Sequence, residues 1–227
     1  SHIYTRSRDL ASQSAGATNS ILVERIEDLP ERQLVIICVP DSAIPDVLNQ
    51  ISDSCPVAYT SGSIELETLP PRNRLGVFYP LQTFTKGSAL DLSQVPFFIE
   101  SNDAYFGSEL FDLGWAISRK VNYASSQERK HLHLAAVWVN NFSNHMNFVA
   151  HEYLKSKDLS FDHLKPLLLE TAKKLGTENP FDAQTGPARR NDSSTIEAHL
   201  KELSGTQKEM YRLISKSILD IYSNDKL

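Results

Sequence analysis

The stretch from Lys130 to His151 constrains this chain most, because it is rich in helix-compatible apolar residues and holds no Gly or Pro. Such a run predicts one long helix, from Gln127 to about Lys155. At about 100° per residue, His133, Asn140, Asn144, Asn147 and His151 fall within roughly ±40° of one direction. Leu134, Val137, Val139, Phe142, Met146 and Val149 occupy much of the remaining circumference. A helix apolar over most of its surface is expected to be buried. Each unsatisfied imidazole or carboxamide buried with it costs about 1–3 kcal/mol. The polar stripe therefore reads in two ways, as a structural hydrogen-bond network or as the wall of a wet pocket.

Upstream of this helix the pattern alternates. Ile3-Tyr4-Thr5 reads as the end of a strand, and Arg6-Ser7-Arg8-Asp9 as a turn into a short helix. Leu34 to Val39 is a continuous apolar run, as expected of a strand buried on both faces of a parallel sheet. A helix follows from about Ala43 to Ile51, then a strand over Pro56–Thr60 and a helical turn near Ile64–Leu69. Leu75–Tyr79 and Pro96–Glu100 complete the strands. Strands alternating with helices predict a doubly wound α/β domain. After about Ser101 the pattern becomes helical: Asp103–Ser118, a short extended link at Val121–Tyr123, the long helix, and Phe161–Leu175 capped by Ser160 or Asp162 and closed by Gly176. Ser194-x-x-Glu197 and Thr206-x-x-Glu209 have the capping-box pattern and predict two further helix starts. The expected division is an α/β domain over 1–102 and a helical domain over 103–227.

With 227 residues, 41% of them apolar and 22% charged, the chain has enough core-forming material for one large or two modest domains. Its net charge of −5 argues against an extended nucleic-acid surface. No apolar run approaches the ~18 residues of a membrane span. Cys38 and Cys55 sit in or beside strand-like runs without metal-ligand spacing, which suits buried thiols of a reduced, cytoplasmic protein.

Three clusters could carry chemistry. Thr5-Arg6-Ser7-Arg8 ends the first strand of this chain; if that is the second strand of a dinucleotide-binding fold, the cluster stands where such folds place the residue that meets the ribose 2′ position. An acidic residue there suits NAD, whereas Arg6 and Arg8, with Ser7, suit the 2′-phosphate of NADP. The alternative is a pair of solvated arginines in a surface turn. The second cluster is the set of turns after the strands, Val39-Pro40-Asp41-Ser42, Thr60-Ser61-Gly62-Ser63 and Tyr79-Pro80-Leu81-Gln82-Thr83. Ligands of open α/β sheets bind beyond the carboxyl ends of strands, so Pro40, Asp41, Ser61 and Gly62 are candidate cofactor contacts. Gln82 and Thr83 are candidate substrate contacts. The same residue types also simply make turns and caps. The third cluster, Ala183 to Asp192, puts Gly186-Pro187 and two arginines before a helix, with Gln184 and Arg190 as candidate substrate contacts. Arg190 and Asp192 could instead anchor the loop on its own domain.

No G-x-G-x-x-G occurs in the chain. In a dinucleotide-binding fold the first strand and its Gly-rich turn would precede Ser1. The expectation is therefore a chain that is incomplete at its start, since a parallel sheet without its central strand exposes two unpaired edges.

Four stretches together carry a resemblance: T-S-G-S (60–63), G-V-F-Y-P-L-Q-T-F (76–84), H-L-A-A-V-W-V-N-N-F-S-N-H (133–145) and A-Q-T-G-P-A-R-R-N-D (183–192). In this order they resemble a bacterial family of Rossmann-like oxidoreductases with a C-terminal helical domain of unassigned function. That family is distantly similar to pyrroline-5-carboxylate reductase, ketopantoate reductase and the β-hydroxyacid dehydrogenases. The resemblance implies a Rossmann-like parallel sheet followed by an all-α domain that dimerises, an NADP site and a cleft between the domains. Two departures stand out. The latter two enzyme groups place a catalytic Lys four residues before an Asn on the long helix, but Lys130 here is followed by Leu134. A histidine frequent in the family before T-S-G is Tyr59 here.

The residues and the resemblance together predict an NADP-dependent reductase of a small carbonyl or imine, with NAD as the other possible cofactor. His133 is the expected proton donor or substrate hydrogen-bonder, because an imidazole exchanges protons around neutral pH. Asn140 and Asn144 would orient the substrate, and Gln82, Thr83 and Gln184 would close the pocket. The missing Lys–Asn pair instead favours a protein that binds a dinucleotide or metabolite without turnover. In a third reading the stripe belongs to a homodimer contact.

Overall fold

The computed structural model describes residues 1–7, 16, 18–85 and 90–223. Arg8, expected to contact the cofactor, lies outside them, as does most of the short helix expected after it. The described chain forms two compact units, Ser1–Phe142 and Ser143–Leu227.

The first unit is built on strands. β1 (His2–Ile3) and β2 (Ile21–Leu22) form a parallel pair. β3 (Val35–Ile37), β4 (Val57–Tyr59), β5 (Leu75–Pro80), β6 (Phe97–Ser101) and β7 (Val121–Tyr123) form a sheet in that order. Every neighbouring pair in it is parallel except β5 and β6, which run antiparallel with Tyr79 opposite Phe98. The sheet is thus predominantly parallel, and Val121–Tyr123, expected as a link, is its last strand.

Alternation along the strands sorts the side chains into two cores, one on each face. Val57, Tyr59, Leu75, Val77 and Tyr79 pack with Ile37 and with Ile44 and Leu48 of α1 (Ile44–Leu48). Ala58, Phe78, Phe97 and Ile99 pack with Phe106 and Leu110 of α2 (Ala104–Ile117). This helix starts where expected, with Asp103 accepting from the Phe106 N–H at 2.7 Å. It lies close on the sheet because Gly76 has no side chain: a Cβ there would stand 2.7 Å from Leu110 Cδ1 and 2.9 Å from the Glu100 carbonyl oxygen. Because β7 joins the sheet and α2 covers it, the compact α/β unit extends well past residue 102. β3 departs from the expectation of burial on both faces. Ile37 is buried, whereas Leu34, Ile36 and Cys38 are exposed, because β3 pairs with β4 alone among the described strands.

The long helix is also interrupted. α3 (Ser126–Ala136) passes into a π-helical segment at Val137–Phe142, and α4 (Ser143–Lys155) continues the chain. Wider π turns do not keep the 100° step, so helical spacing no longer fixes Asn140 on the azimuth of His133. The expected burial is absent too: Leu134, Trp138, Val139, Phe142 and Phe148 are exposed. Trp138 and Phe142 meet edge to face at 4.8 Å, and Phe148 stacks on His145 at 6.1 Å.

The second unit continues with α5 (Lys165–Leu175), α6 (Pro180–Ala183), α7 (Ser193–Glu202) and α8 (Gly205–Ser223). Ser160 caps the turn before α5 by accepting from the Asp162 N–H. Gly176 ends α5 in a right-handed conformation, φ −74°. The expected cap at Ser194 is corrected: Asp192 is the N-cap of α7, accepting from the Thr195 N–H at 3.1 Å. α8 begins at Gly205, one residue before Thr206, with Gly205 at φ +51°. No helix among the described residues is long and apolar enough to cross a membrane.

Candidate functional site

The parallel strands β4 and β5 direct two segments to one edge of the sheet, the turn Thr60–Ser63 and the end of β5 at Tyr79–Pro80. The turn organises itself around Ser61, whose buried hydroxyl accepts from the N–H groups of Ser63 and Ile64, each at 3.1 Å. Gly62 lies under the Tyr79 ring. A Cβ at that position would stand 2.6 Å from Tyr79 Cζ and 2.8 Å from Oη.

Helix α3 is pinned beside this turn by a buried ion network. Ser125 and Glu128 form a capping box at its start. One residue later comes Arg129, with no exposed surface. Its guanidinium donates to the Glu100 carboxylate from Nε at 3.1 Å and again from Nη2, and to the carbonyl oxygens of Ser61 and Ile64 at 3.0 and 3.2 Å from Nη1. Ser126 donates to the same carboxylate from its N–H at 2.8 Å and from its hydroxyl. A buried charge is tolerable only when paired and fully hydrogen-bonded, and this one holds helix, strand and turn together. The Tyr59 ring lies 6.0 Å from the guanidinium, and its hydroxyl donates to the Ile64 carbonyl at 3.2 Å. Burial pushes the Tyr59 phenol up to about 12, against a smaller lowering by Arg129.

One helical turn beyond Arg129, on the same face, His133 meets the sheet. Its Nδ1 lies 3.1 Å from Tyr79 Oη, and the two rings meet edge to face at 6.2 Å. Burial raises the Tyr79 phenol from its ordinary value, Arg129 opposes that, and Asp41 adds to it. The arrangement can present an imidazole, backed by a phenol, at the strand outlets.

The remaining expected residues are placed as follows. Arg6 and Ser7 are exposed just beyond β1, with the Ser7 N–H donating to Thr5 Oγ1 at 3.2 Å. Pro40 and Asp41 follow β3, and the Pro40 carbonyl accepts from the Ala43 N–H at 2.8 Å. Gln82 Oε1 accepts from the Thr83 N–H at 2.8 Å, beyond the end of β5. Asn140 is exposed in the π segment. Ser61, Gly62, Tyr79 and His133 therefore come together.

Asn144, Gln184 and Arg190 belong to the second unit. Asn144 and Arg190 are exposed. Gln184 Nε2 donates to the Thr185 carbonyl at 2.8 Å. The loop is anchored by Arg189, which donates to the carbonyls of Asp182 and Gln184 and stacks over Tyr222 at 4.9 Å. Asp192 is engaged as the α7 cap. The anchoring weighed for Arg190 thus falls to its neighbour. At the far end of the polar stripe, His151 pairs with Glu152 at 3.0 Å and meets the Phe161 ring. It lines an open recess of about 570 Å³ that contains none of the expected site residues.

Tyr79, Arg129, Glu100 and Ser126 are the residues that sequence reasoning missed. Only the Ser125-x-x-Glu128 pattern signalled the start of α3 and hence the placement of Arg129; nothing local marks Glu100 as its partner.

The family described as Domain of unknown function (DUF2520) matches residues 95–218, more than half of the chain. Among solved structures, a Bacteroides fragilis protein provisionally named as an NADP oxidoreductase is 33% identical, with a TM-score of 0.86, over 96% of this chain and 88% of that one. A Thermotoga maritima protein is 21% identical with a TM-score of 0.74, over 99% of this chain and 91% of that one. An imine reductase from Myxococcus stipitatus in complex with NADP+ shares 9% identity and a TM-score of 0.58, over 98% of this chain and 84% of that one, a likeness of fold alone. No curated protein matches.

Proposed function

This chain belongs to the DUF2520 family, and on that premise we propose that it is an NADP-dependent oxidoreductase that reduces a small carbonyl or imine compound. The observation that carries the reading is the contact of His133 Nδ1 with Tyr79 Oη at 3.1 Å. It stands at the carboxyl edge of a predominantly parallel sheet, where ligands of such sheets bind. The 33% identity to a protein provisionally named as an NADP oxidoreductase supports the cofactor, and the exposed Arg6 and Ser7 just beyond β1 suit its 2′-phosphate. Arg6 and Ser7 would hold the 2′-phosphate, and the turns at Pro40–Asp41 and Ser61–Gly62 would flank the dinucleotide. When bound, the reduced nicotinamide supplies a hydride. His133 acts on the substrate oxygen or nitrogen as proton donor or hydrogen-bond donor. Asn140 orients the substrate, and Gln82 and Thr83 bound its pocket. The same reading gives Asn144 an orienting role and Gln184 and Arg190 substrate-binding roles, each tested by the KM of its alanine variant.

The test is NADPH and NADH titration of the full-length protein, followed by turnover with a carbonyl and imine panel. NADPH is expected to bind more tightly, and turnover is expected to vanish in a folded His133→Ala variant. Retained turnover removes His133 from its role, and NADH preference removes Arg6 from its own. Cofactor binding without turnover on the panel would favour a regulatory, non-catalytic protein. The reading extends to a cytoplasmic protein, in keeping with two free thiols, and to a homodimer through the C-terminal unit. Exposed Leu167, Leu169, Leu213 and Ile221 support the dimer. Its test is molar mass by light scattering: a single-chain mass at micromolar concentration would exclude it.

A further inference from the structure

Tyr79 and His133 share one hydrogen bond, and which of them donates decides what His133 can offer a substrate. A phenol carries one donor hydrogen, and a neutral imidazole has one donating and one accepting nitrogen. Were Nδ1 protonated, it would donate to Tyr79 Oη, and the phenolic hydrogen would need another acceptor. Among the described residues, His133 Nδ1 is the only partner of Tyr79 Oη. Tyr79 is 8% exposed, so an O–H without an acceptor there is disfavoured. The reverse arrangement, O–H donating to a bare Nδ1, satisfies both atoms. Burial keeps the phenol protonated at neutral pH.

Two further features hold the pair in register. Gly62 leaves room for the phenol, since a Cβ would stand 2.8 Å from its oxygen. Arg129, one turn before His133, fixes helix α3 to the Ser61 and Ile64 carbonyls. The charged groups bearing on Tyr79 are Arg129 and Asp41.

We infer that Tyr79 is a positioning residue that locks His133 in the Nε2–H tautomer, so that Nε2–H is the hydrogen-bond donor offered to the substrate. One ring nitrogen's partner sets the proton on the other. A donor of this kind needs a lone pair opposite it. The substrate class narrows to carbonyls and neutral imines, and excludes preformed iminium cations, whose nitrogen has no lone pair to accept with. The substrate part rests on the reductase reading above; the tautomer does not.

The test is two-bond ¹H–¹⁵N correlation of the His133 ring in the full-length protein at about pH 8, where an ordinary imidazole is neutral. Its signals are assigned by their loss in His133→Gln. The wild-type protein is expected to show the Nε2–H pattern, and Tyr79→Phe a mixture of tautomers with the Nδ1 shift moved away from that of a hydrogen-bonded acceptor. Gly62→Ala is expected to do the same with the phenol still present. Circular dichroism establishes that each variant is folded. A wild-type Nδ1–H pattern overturns the inference whatever the variants do, as do unchanged ¹⁵N shifts in folded Tyr79→Phe. In turnover, Tyr79→Phe is expected to lower kcat on the order of tenfold with KM within about twofold. An N-alkylated iminium is expected to be reduced more slowly than the parent imine, and the opposite order overturns the substrate part. If the wild-type protein reduces nothing, the reductase reading fails, and with it the substrate part, while the ring spectrum still decides the tautomer.

Discussion

In the unit Ser1–Phe142, strands and helices enclose two apolar cores and even the guanidinium of Arg129, whereas in the unit Ser143–Leu227 only Ala188 and Ser215 are buried among the described residues. Leu169 and Leu213 are 73% and 71% exposed. Apolar area left in water contributes nothing to stability. The helices of the second unit therefore rest, in the single chain, on the stacking of Phe181 and Arg189 over Tyr222, on caps at Ser160, Asn179 and Asp192, and on solvent-accessible ion pairs such as Lys174–Glu178. Such pairs contribute ~0–1 kcal/mol each. The first unit is held by burial and by one buried network. The contrast shows why the candidate chemistry stands where it does: the packing that fixes α3 also fixes His133.

The sharpest way to break the contrast is Arg129→Met. Removing one partner of a buried pair leaves Glu100 without its counter-charge and should cost about 3–5 kcal/mol. Chemical denaturation measures this; a loss below ~1 kcal/mol would show that the network is not what holds α3. Alkaline pH tests the same region. The Tyr59 phenol is raised from 10.0 to about 12 in the folded protein. The stability linked to this shift is fully present below pH ~10 and is lost as pH rises through about 12, some 2–3 kcal/mol in all. Tyr59→Phe should remove that part of the alkaline loss, read as Tm against pH. Gly62→Ala should cost about 1–3 kcal/mol by overpacking against Tyr79, measured by denaturant midpoint. In the second unit the effects are smaller. Asp192→Ala should lower the thermal midpoint, by less than Gly62→Ala does, through loss of the α7 cap. The Asp192 carboxyl is held below its ordinary value by hydrogen bonds from Thr195 and Ser194. Its contribution should therefore be present above pH ~4 and fade as pH falls through the lowered value.

Much of the fold was legible because its signals are local. Alternating short strands, Asp103 before α2 and the unbroken run after Gln127 each speak through residues close in sequence. So did the strand-end turns that hold Ser61 and Gly62. The π segment was not legible, since Val137–Phe142 is compatible with an ordinary helix. Nor was the cap at Asp192, since Asp192, Ser193 and Ser194 in succession are all cap-type residues. Ser125-x-x-Glu128 carried the same pattern as the two expected boxes. Its consequence, a fully buried Arg129, was hidden because in sequence Arg129 sits among charged neighbours that look solvated.

By itself the sequence determined the fold class and the long helix with His133 on it, because periodicity and capping depend on neighbours within a few residues. It also determined the resemblance that the family match bears out. Only the tertiary structure decided that His133 meets Tyr79, that Gly62 leaves room for the phenol, and that Arg129 joins Glu100 to the Ser61 turn. Those contacts span 54, 29 and 68 positions for Tyr79–His133, Glu100–Arg129 and Ser61–Arg129. They depend on strand order and helix placement, which no local pattern encodes.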